Sequence, residues 1–131
     1  MAIQLDHMIL PVNDMKASVA FYVDIVGFAH DGDRGPFALV RVGPDFMLQL
    51  APWGTTGGVH LAFSMKLSEF DRIFQRLRDA AVPYGDRYDL VGNMKGPGDE
   101  EGSRGMGKAL YFFDPNQHCL LYTSPSPRDR G

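Results

Sequence analysis

Two histidines occupy matching places in what we interpret as two copies of one sequence pattern. His7 occurs in the segment LDHMIL and His60 in the segment GVHLAF. Counting on from each histidine by the same interval, Phe21 matches Phe74, so a strand and the helix after it repeat in register. Neutral imidazoles bind Fe, Mn, Ni, Co or Zn, and two of them at equivalent positions predict a pair of ligands for a divalent metal.

The other two histidines are interpreted differently. His30 lies among Asp31, Asp33 and a glycine, a composition typical of a turn with a solvated side chain. His118 follows the segment DPNQ, and we predict that it shapes this turn rather than binding metal. Because a lone histidine on an apolar strand is commonly a hydrogen-bonded core residue, the metal prediction depends on the repeat.

The repeat predicts the elements that position the histidines. Residues 3–12 form an aliphatic strand, and Asn13 and Asp14 then cap a helix that runs to about Val26 and stops at Gly27. The apolar residues of this helix recur at i, i+3, i+4 and i+7 and form one buried stripe of Val19, Tyr22, Val23 and Val26.

The second copy has the same order of strand and helix. Its helix begins with a capping-box-like pair, Ser68 and Asp71, and ends before Pro83. Its predicted buried stripe contains Phe70, Ile73, Phe74, Leu77 and Ala81. Between the two helices, residues 37–42 and 46–51 flank a Gly-Pro-Asp turn and predict an antiparallel hairpin.

The two halves also end alike, since ALVRVGPD in the first half matches ALYFFDPN in the second. We therefore predict an α+β fold with two tandem β-α-β-β-β repeats, residues 3–51 and 58–123, inside a single domain of residues 1–123. A glycine-rich segment, residues 92–107, replaces the short connection of the first half. It is predicted to be either a lid over the substrate or a mobile loop.

Composition limits the classes of function. At 131 residues, of which 44% are hydrophobic, the chain is long enough for the core of one domain. Its net charge of -3 and its lack of basic runs argue against nucleic acid as a partner. No apolar stretch reaches the roughly 18 residues of a membrane span and no leader pattern opens the chain, so we expect a cytoplasmic protein. The only cysteine, Cys119, fits a reducing compartment.

Taken together, the motifs resemble the vicinal oxygen chelate superfamily, which includes glyoxalases, fosfomycin thioltransferases, extradiol ring-cleaving dioxygenases and bleomycin-resistance proteins. The resemblance covers nearly all of residues 3–118 and is carried by LDH, by FY and GF around the end of the first helix, by MLQL, by GVHLAF and by YFFDPNQH. It implies that the two units form a cupped, mostly antiparallel sheet. It also implies a divalent metal at the base of the cup, often in a homodimer.

By this resemblance, His7 and His60 match the histidine ligands on the first strand of each unit. Gln49 matches a ligand position that more often holds Glu. A strand glutamine is also commonly a hydrogen-bonding residue of a pocket, and both interpretations of Gln49 stay open.

Three further residues are predicted to contact a substrate. Trp53 and Tyr111 are candidates for the walls of the pocket, with a core or rim position as the alternative. Arg104 is the best cation in residues 92–107 for an anionic group of the substrate, with a solvated loop arginine as the alternative.

One ligand of the family pattern is missing. The family ordinarily places a metal-binding Glu on the last strand, a few residues past the Asp-Pro-Asn turn, where this chain has Leu121. No Asp or Glu occurs between Asp114 and Asp129. Two neutral imidazoles and a neutral amide leave the cation without an anionic ligand, so we predict weak metal binding.

The end of the chain suggests why that acid is missing. The segment CLLYTSPSPRD, which begins at Cys119, resembles a translated transposase sequencing adapter. We predict that residues 119–131 are non-native, an assembly artefact appended to a truncated gene. Residues 124–131 are predicted to be disordered, because Ser-Pro-Ser-Pro lacks the alternation of a strand. The alternative is a natural chain that has lost the acid and become a binding protein.

The resemblance therefore implies a metal-dependent enzyme that binds a small substrate through paired oxygens. Glyoxalase or lyase, thioltransferase and dioxygenase chemistry all fit this frame, and the sequence assigns no catalytic residue. The alternative, from another class, is a dimeric module that sequesters an aromatic or drug-like ligand without metal. Tight binding of a divalent metal distinguishes the two, since only the enzyme requires it.

Overall fold

The computed structural model describes residues 3–87, 89–102 and 105–125, which form two compact units that meet in sequence between Thr56 and Gly57. Each unit contains one β-sheet and one helical segment, and most of the strand pairs are antiparallel. The predicted α+β class is thereby confirmed. Neither helix of the described ranges is long and apolar enough to cross a lipid bilayer.

The first unit contains a four-stranded sheet with the strand order β1-β4-β3-β2. Its strands are β1 (His7–Pro11), β2 (Ala29–Arg34), β3 (Phe37–Gly43) and β4 (Phe46–Ala51). Strand β1 runs parallel to β4, and the other pairs are antiparallel. The predicted hairpin is confirmed as β3 and β4, whereas the first strand is shorter than predicted and begins at His7.

The two faces of this sheet differ because successive side chains of a strand alternate between faces. One face carries the fully buried side chains of Leu10, Val40, Leu48 and Leu50. The helix α1 (Met15–Ala20) contacts β3 and β4. The alternate positions, among them His7 and Gln49, are exposed or half-buried. The alternation thus leaves the candidate metal ligands accessible while the aliphatic residues form the core.

Helix α1 begins as predicted, since the carboxylate of Asp14 accepts a hydrogen bond from the Ala17 amide at 3.1 Å. It continues as a π-helical turn, Phe21–Ile25, in which the Val26 amide donates to the Phe21 carbonyl at 3.1 Å. Gly27 ends the segment with φ of 92°, as predicted. The wider turn changes the buried face: Tyr22 and Val26 are buried, but so are Ser18 and Phe21, while Val19 and Val23 are half-buried.

The second unit contains β5 (His60–Ser64), α2 (Leu67–Asp79), β6 (Tyr84–Gly85), β7 (Gly98–Gly102), β8 (Gly105–Phe113) and β9 (Cys119–Pro125). Its five-stranded sheet has the order β5-β9-β8-β6, with β7 paired to β8. As in the first unit, the first strand runs parallel to the last, and the last runs antiparallel to the strand before it. The two sheets therefore share a topology; their origin as a repeat stays a prediction.

Helix α2 packs its apolar stripe into the unit, with Phe70, Ile73 and Leu77 buried and Phe74 half-buried. The predicted start at Ser68 was wrong: the N-cap residue is Lys66, which makes no side-chain hydrogen bond. The prediction that Ala81 belongs to the stripe was also wrong. The helix ends at Asp79, and Ala81 is exposed with φ of 56°.

Three other predictions about local structure are corrected. His30 lies in strand β2 rather than in a turn, although it is exposed as expected. Residues 92–107 are not wholly a loop, because β7 and the start of β8 pair within them. The predicted disordered tail was wrong at its start, since Ser124 and Pro125 belong to β9 and pair with β8. The rest of that tail lies outside the described residues.

Candidate functional site

A cavity of about 410 Å³ lies at one end of the open face of the first sheet. It is lined by residues of all four strands and of the segment before β1, including His7, Arg34, Leu39, Arg41, Met47 and Gln49. His7 pairs in register with Met47, which pairs with Arg41 on the next strand. Gln49 pairs with Leu39 one row further along the same face. The sheet thus brings two of the predicted metal ligands, His7 and Gln49, to one cavity.

His7 is half-exposed and hydrogen-bonded on one side of its ring. Its Nδ1 lies 2.7 Å from Oδ2 of Asp6, which also lines the cavity. Among the described residues, Nε2 of His7 has no hydrogen-bond partner. One ring nitrogen is therefore engaged and the other is open.

Two arginines of the cavity were not among the predicted substrate contacts. The Nε atom of Arg41 donates to Oδ2 of Asp31 at 3.0 Å, and this ion pair fixes the guanidinium beside the His7–Met47 row. Arg34 has no ion-pair partner within the described ranges. Asp45 also lines the cavity, so its wall carries both signs of charge. Arg41 could have been found from the sequence, because it lies two residues after Leu39 on β3 and residues two apart on a strand share a face.

The third predicted ligand, His60, lies at the start of β5 in the second unit and is exposed. It pairs in register with Cys119 of β9, and Ala62 pairs with position 121. Position 121 pairs on its other side with Tyr111 of β8. Burial raises the pKa of the Cys119 thiol. By backbone register, position 121 therefore lies two residues beyond Cys119, the neighbour of His60 on β9.

The predicted substrate contacts lie in different surroundings. Tyr111 is 3% exposed and forms a small apolar cluster with Ala109, Val91 and Cys119. Trp53 is 61% exposed and packs edge-on against Phe37, with ring centroids 5.8 Å apart, but does not line the cavity. Arg104 lies outside the described residues.

His118 is fully buried, and its environment agrees with the predicted role in the turn. Its Nδ1 accepts a hydrogen bond from the Val59 amide at 3.2 Å, and its own amide donates to Oδ1 of Asp114 at 2.9 Å. The same carboxylate oxygen accepts from the Asn116 amide at 2.8 Å. These bonds fix the turn between β8 and β9 and connect it to the residue before His60.

The donor atoms suit a divalent cation of the borderline class. Imidazole nitrogens and an amide oxygen are ligands that Fe, Mn, Ni, Co and Zn accept, and His7 and Gln49 both line the cavity. No three His, Cys, Asp or Glu side chains come together as a metal cluster within the described ranges. The predicted set includes an amide, Gln49, and contains no acid.

The chain is similar to several known proteins. Metallothiol transferase FosB of Lysinibacillus sphaericus (strain C3-41) is 24% identical over 96% of this chain and 85% of its own length. Among solved structures, the oxidase ChaP-H2 is 30% identical, with a TM-score of 0.79 over 96% of both chains. TnmS3, an antibiotic binding protein from Streptomyces sp. CB03234, is 25% identical, with a TM-score of 0.73 over 96% of this chain and 99% of its own.

The chain also matches the model of a protein family. Residues 4–121 fit the family model described as the Glyoxalase/Bleomycin resistance protein/Dioxygenase superfamily. This range includes both histidines, Gln49 and position 121. The chain therefore belongs to the Glyoxalase/Bleomycin resistance protein/Dioxygenase superfamily.

Proposed function

We propose that this protein derives from a metal-dependent enzyme in which His7, Gln49 and His60 bind a divalent cation and a small substrate binds through paired oxygens. The observation that carries the proposal is the cavity of the first unit, which is lined by both His7 and Gln49, and Nε2 of His7 has no hydrogen-bond partner among the described residues. A histidine with only a core role would be buried, whereas the His7 side chain is 48% exposed and lines a cavity. The name of one relative, metallothiol transferase, supports a metal.

When bound, the cation would supply Lewis-acid polarisation of the substrate oxygens. The side chains of this protein would orient the substrate. The guanidinium of Arg34, which has no ion-pair partner among the described residues, donates to an anionic oxygen of the substrate. Arg41 is oriented for the same role by its ion pair with Asp31. Leu39 and Met47 give the cavity an apolar wall that excludes water from part of the substrate.

The reaction types that fit are isomerisation or lyase chemistry, thiol transfer and dioxygen-dependent oxidation. The relatives include a metallothiol transferase and an oxidase, so their names support the last two types without choosing between them. We further propose that the protein acts as a homodimer, which sedimentation equilibrium would test.

Position 121 determines how tightly this chain binds the cation. With Leu121, the proposed ligands are two neutral imidazoles and one neutral amide. A cation loses hydration free energy when it binds, and without an anionic ligand this loss is poorly offset. Residues two apart on a strand face the same side. Position 121 lies two residues beyond Cys119, the register neighbour of His60.

Metal titration of the encoded chain and of Leu121→Glu tests the proposal. We expect calorimetry with Mn²⁺, Fe²⁺, Ni²⁺ and Zn²⁺ to show one site per chain in Leu121→Glu. Its affinity should exceed that of the encoded chain by at least about 100-fold, because losing even an outer partner of a ligand costs roughly 10- to 100-fold. Leu121→Gln is the matched control, since it adds a similar polar side chain without charge.

Failure of Leu121→Glu to bind any of the four metals would contradict the metal proposal and favour the second candidate function. That function is sequestration of an aromatic or drug-like ligand without metal. It is favoured by one observation: an aromatic pair, the exposed Trp53 and the half-buried Phe37, in a chain 25% identical to an antibiotic binding protein. Trp53 is the only tryptophan, so its fluorescence reports such binding directly.

A further inference from the structure

The two proposed histidine ligands differ in their neighbours. His7 has the carboxylate of Asp6 at 2.7 Å from Nδ1, whereas no hydrogen bond is found for the His60 ring within the described part of the chain. The residue that precedes His60 is Val59, which has no polar side chain. The first site of the pair is thus preorganised in a way that the second is not.

The chemistry of the two groups fixes the position of the proton. An ionised carboxylate only accepts hydrogen bonds, so Nδ1 of His7 must be the donor. A neutral imidazole carries one proton, which leaves the lone pair of Nε2 free. His7 is therefore held in the tautomer that presents Nε2 as an acceptor or a metal ligand.

The exposure of the pair argues against a purely structural role. The side chains of His7 and Asp6 are 48% and 89% exposed, and exposed ion pairs contribute little to folding stability. Both residues instead line the cavity that contains Gln49. A carboxylate that receives the second ring N–H of a ligating histidine raises the basicity of the ligand and fixes its orientation.

We propose that Asp6 is a positioning residue for the metal site: it holds His7 in the Nδ1–H tautomer, directs Nε2 to the cation, and strengthens His7 as a ligand. The ligand role of His7 rests on the proposed function, but the tautomer does not. Asp6 acts only through His7.

The chain offers an internal control in the same unit. His30 and Asp33 form another exposed pair, with Nε2 of His30 2.9 Å from Oδ1 of Asp33. Neither residue lines the cavity. Removing Asp33 therefore removes a carboxylate of the same kind, from a histidine that has no proposed ligand role.

The first readout requires no metal. Two-dimensional ¹H–¹⁵N spectra that detect ring nitrogens, recorded at about pH 8 where imidazoles are neutral, give the tautomer of each histidine. We expect His7 to be mainly Nδ1–H in the encoded chain, to lose that preference in Asp6→Ala, and to keep it in Asp33→Ala. A His7 that is mainly Nε2–H in the encoded chain would overturn the proposal.

The second readout is Zn²⁺ affinity by calorimetry, in the encoded chain and with Leu121→Glu. Asp6→Ala should weaken binding by about 10- to 100-fold. Asp6→Asn should restore most of the loss, because its amide oxygen still accepts from Nδ1–H. An Asp6→Ala affinity equal to that of Asp33→Ala contradicts the positioning role.

The two readouts separate this proposal from the proposed function. If His7 has the expected tautomer but neither background binds Zn²⁺, the metal function is wrong and Asp6 has no cation to position. If Zn²⁺ binds tightly but the tautomer does not depend on Asp6, the metal function stands and the role of Asp6 is rejected.

Discussion

At the scale of single residues, the hydroxyl of Tyr122 is the clearest local defect. Tyr122 is 1% exposed, and its ring packs edge-on against Phe63 and Phe112 at centroid distances of 5.5 and 5.0 Å. Its hydroxyl is buried without a hydrogen-bond partner among the described residues. Native cores rarely leave such a group unpaired. An unpaired buried hydroxyl is what we expect if residues 119–131 are non-native, as the adapter-like sequence predicts, because such a strand did not evolve to pack in this core.

Tyr122→Phe should therefore stabilise the chain. The change keeps the ring contacts and removes a group whose unpaired burial costs about 1–3 kcal/mol, so we expect the free energy of unfolding to rise by about 1 kcal/mol in urea denaturation. Tyr22→Phe is the control, since Tyr22 is also fully buried but its hydroxyl is not left unpaired. An equal gain in both variants would contradict the explanation.

Alkaline pH gives the same test independently. Burial raises the pKa of Tyr122 well above its ordinary value, and the guanidinium of Arg76 opposes the shift. A group whose pKa is raised in the folded state costs stability as pH rises above its unfolded value, about 10 for tyrosine. We expect the stability advantage of Tyr122→Phe to widen above about pH 10 and to stay constant below it.

Some residues of the candidate site were predictable from the sequence, and others were not. His7 was identified from the internal repeat and Gln49 from the family resemblance, so both candidate ligands were predictable, but the parallel pairing of β1 with β4 that brings them to one cavity was not predicted. Arg34 was not, because a register shift between His30 and Asp33 decides which residues of β2 share that face. The bond between Asp6 and His7 depends on side-chain rotamers, which the order of residues does not specify.

At the scale of elements, the two helices begin differently. Asp14 caps α1 through its side chain, but Lys66 occupies the N-cap of α2 and makes no such bond. Lys66 has extended backbone angles, with φ of -66° and ψ of 153°, which serine also adopts at N-caps. The first turn of α2 therefore lacks a side-chain acceptor for its backbone amides, and a serine at position 66 can provide one.

Lys66→Ser should raise the free energy of unfolding by about 1 kcal/mol, the usual contribution of an N-cap side chain. It also removes a positive charge from the positive end of the helix dipole. Ser68→Ala should change stability by less than about 0.5 kcal/mol, because Ser68 lies inside the helix. Thermal unfolding measures both variants. A larger loss in Ser68→Ala than gain in Lys66→Ser would restore the capping role that the sequence predicted for Ser68.

Element predictions succeeded where apolar spacing was regular and failed where polar residues form strands. The hairpin and the stripe of α2 were predicted because aliphatic residues recur at strand or helix spacing. Strand β2, with the sequence AHDGDR, is exposed throughout, and β7 reads GDEEG. Both lie at sheet edges, where pairing with one neighbour is enough and no apolar face is needed. Such strands have no periodic signal in the sequence.

At the scale of the whole molecule, the proposed ligands come from both compact units. His7 and Gln49 belong to the first unit, whereas His60 and position 121 belong to the second. A cation bound by both sets must stabilise both units, because ligand binding adds stability to every part of the fold that must be formed for binding. If the metal is bound by all of these residues, it should stabilise both units. If it is bound by His7 and Gln49 alone, it should stabilise only the first unit.

Hydrogen exchange followed by mass spectrometry measures the stabilisation of each unit in Leu121→Glu. Zinc at about 100 times its dissociation constant adds about 2.7 kcal/mol, so amides that exchange only through unfolding should slow by about 100-fold in peptides of both β1–β4 and β5–β9. The encoded chain should show a much smaller effect at the same zinc concentration, because Leu121 supplies no acid. Protection confined to the first unit would remove His60 and position 121 from the ligand set while leaving His7 and Gln49 in it.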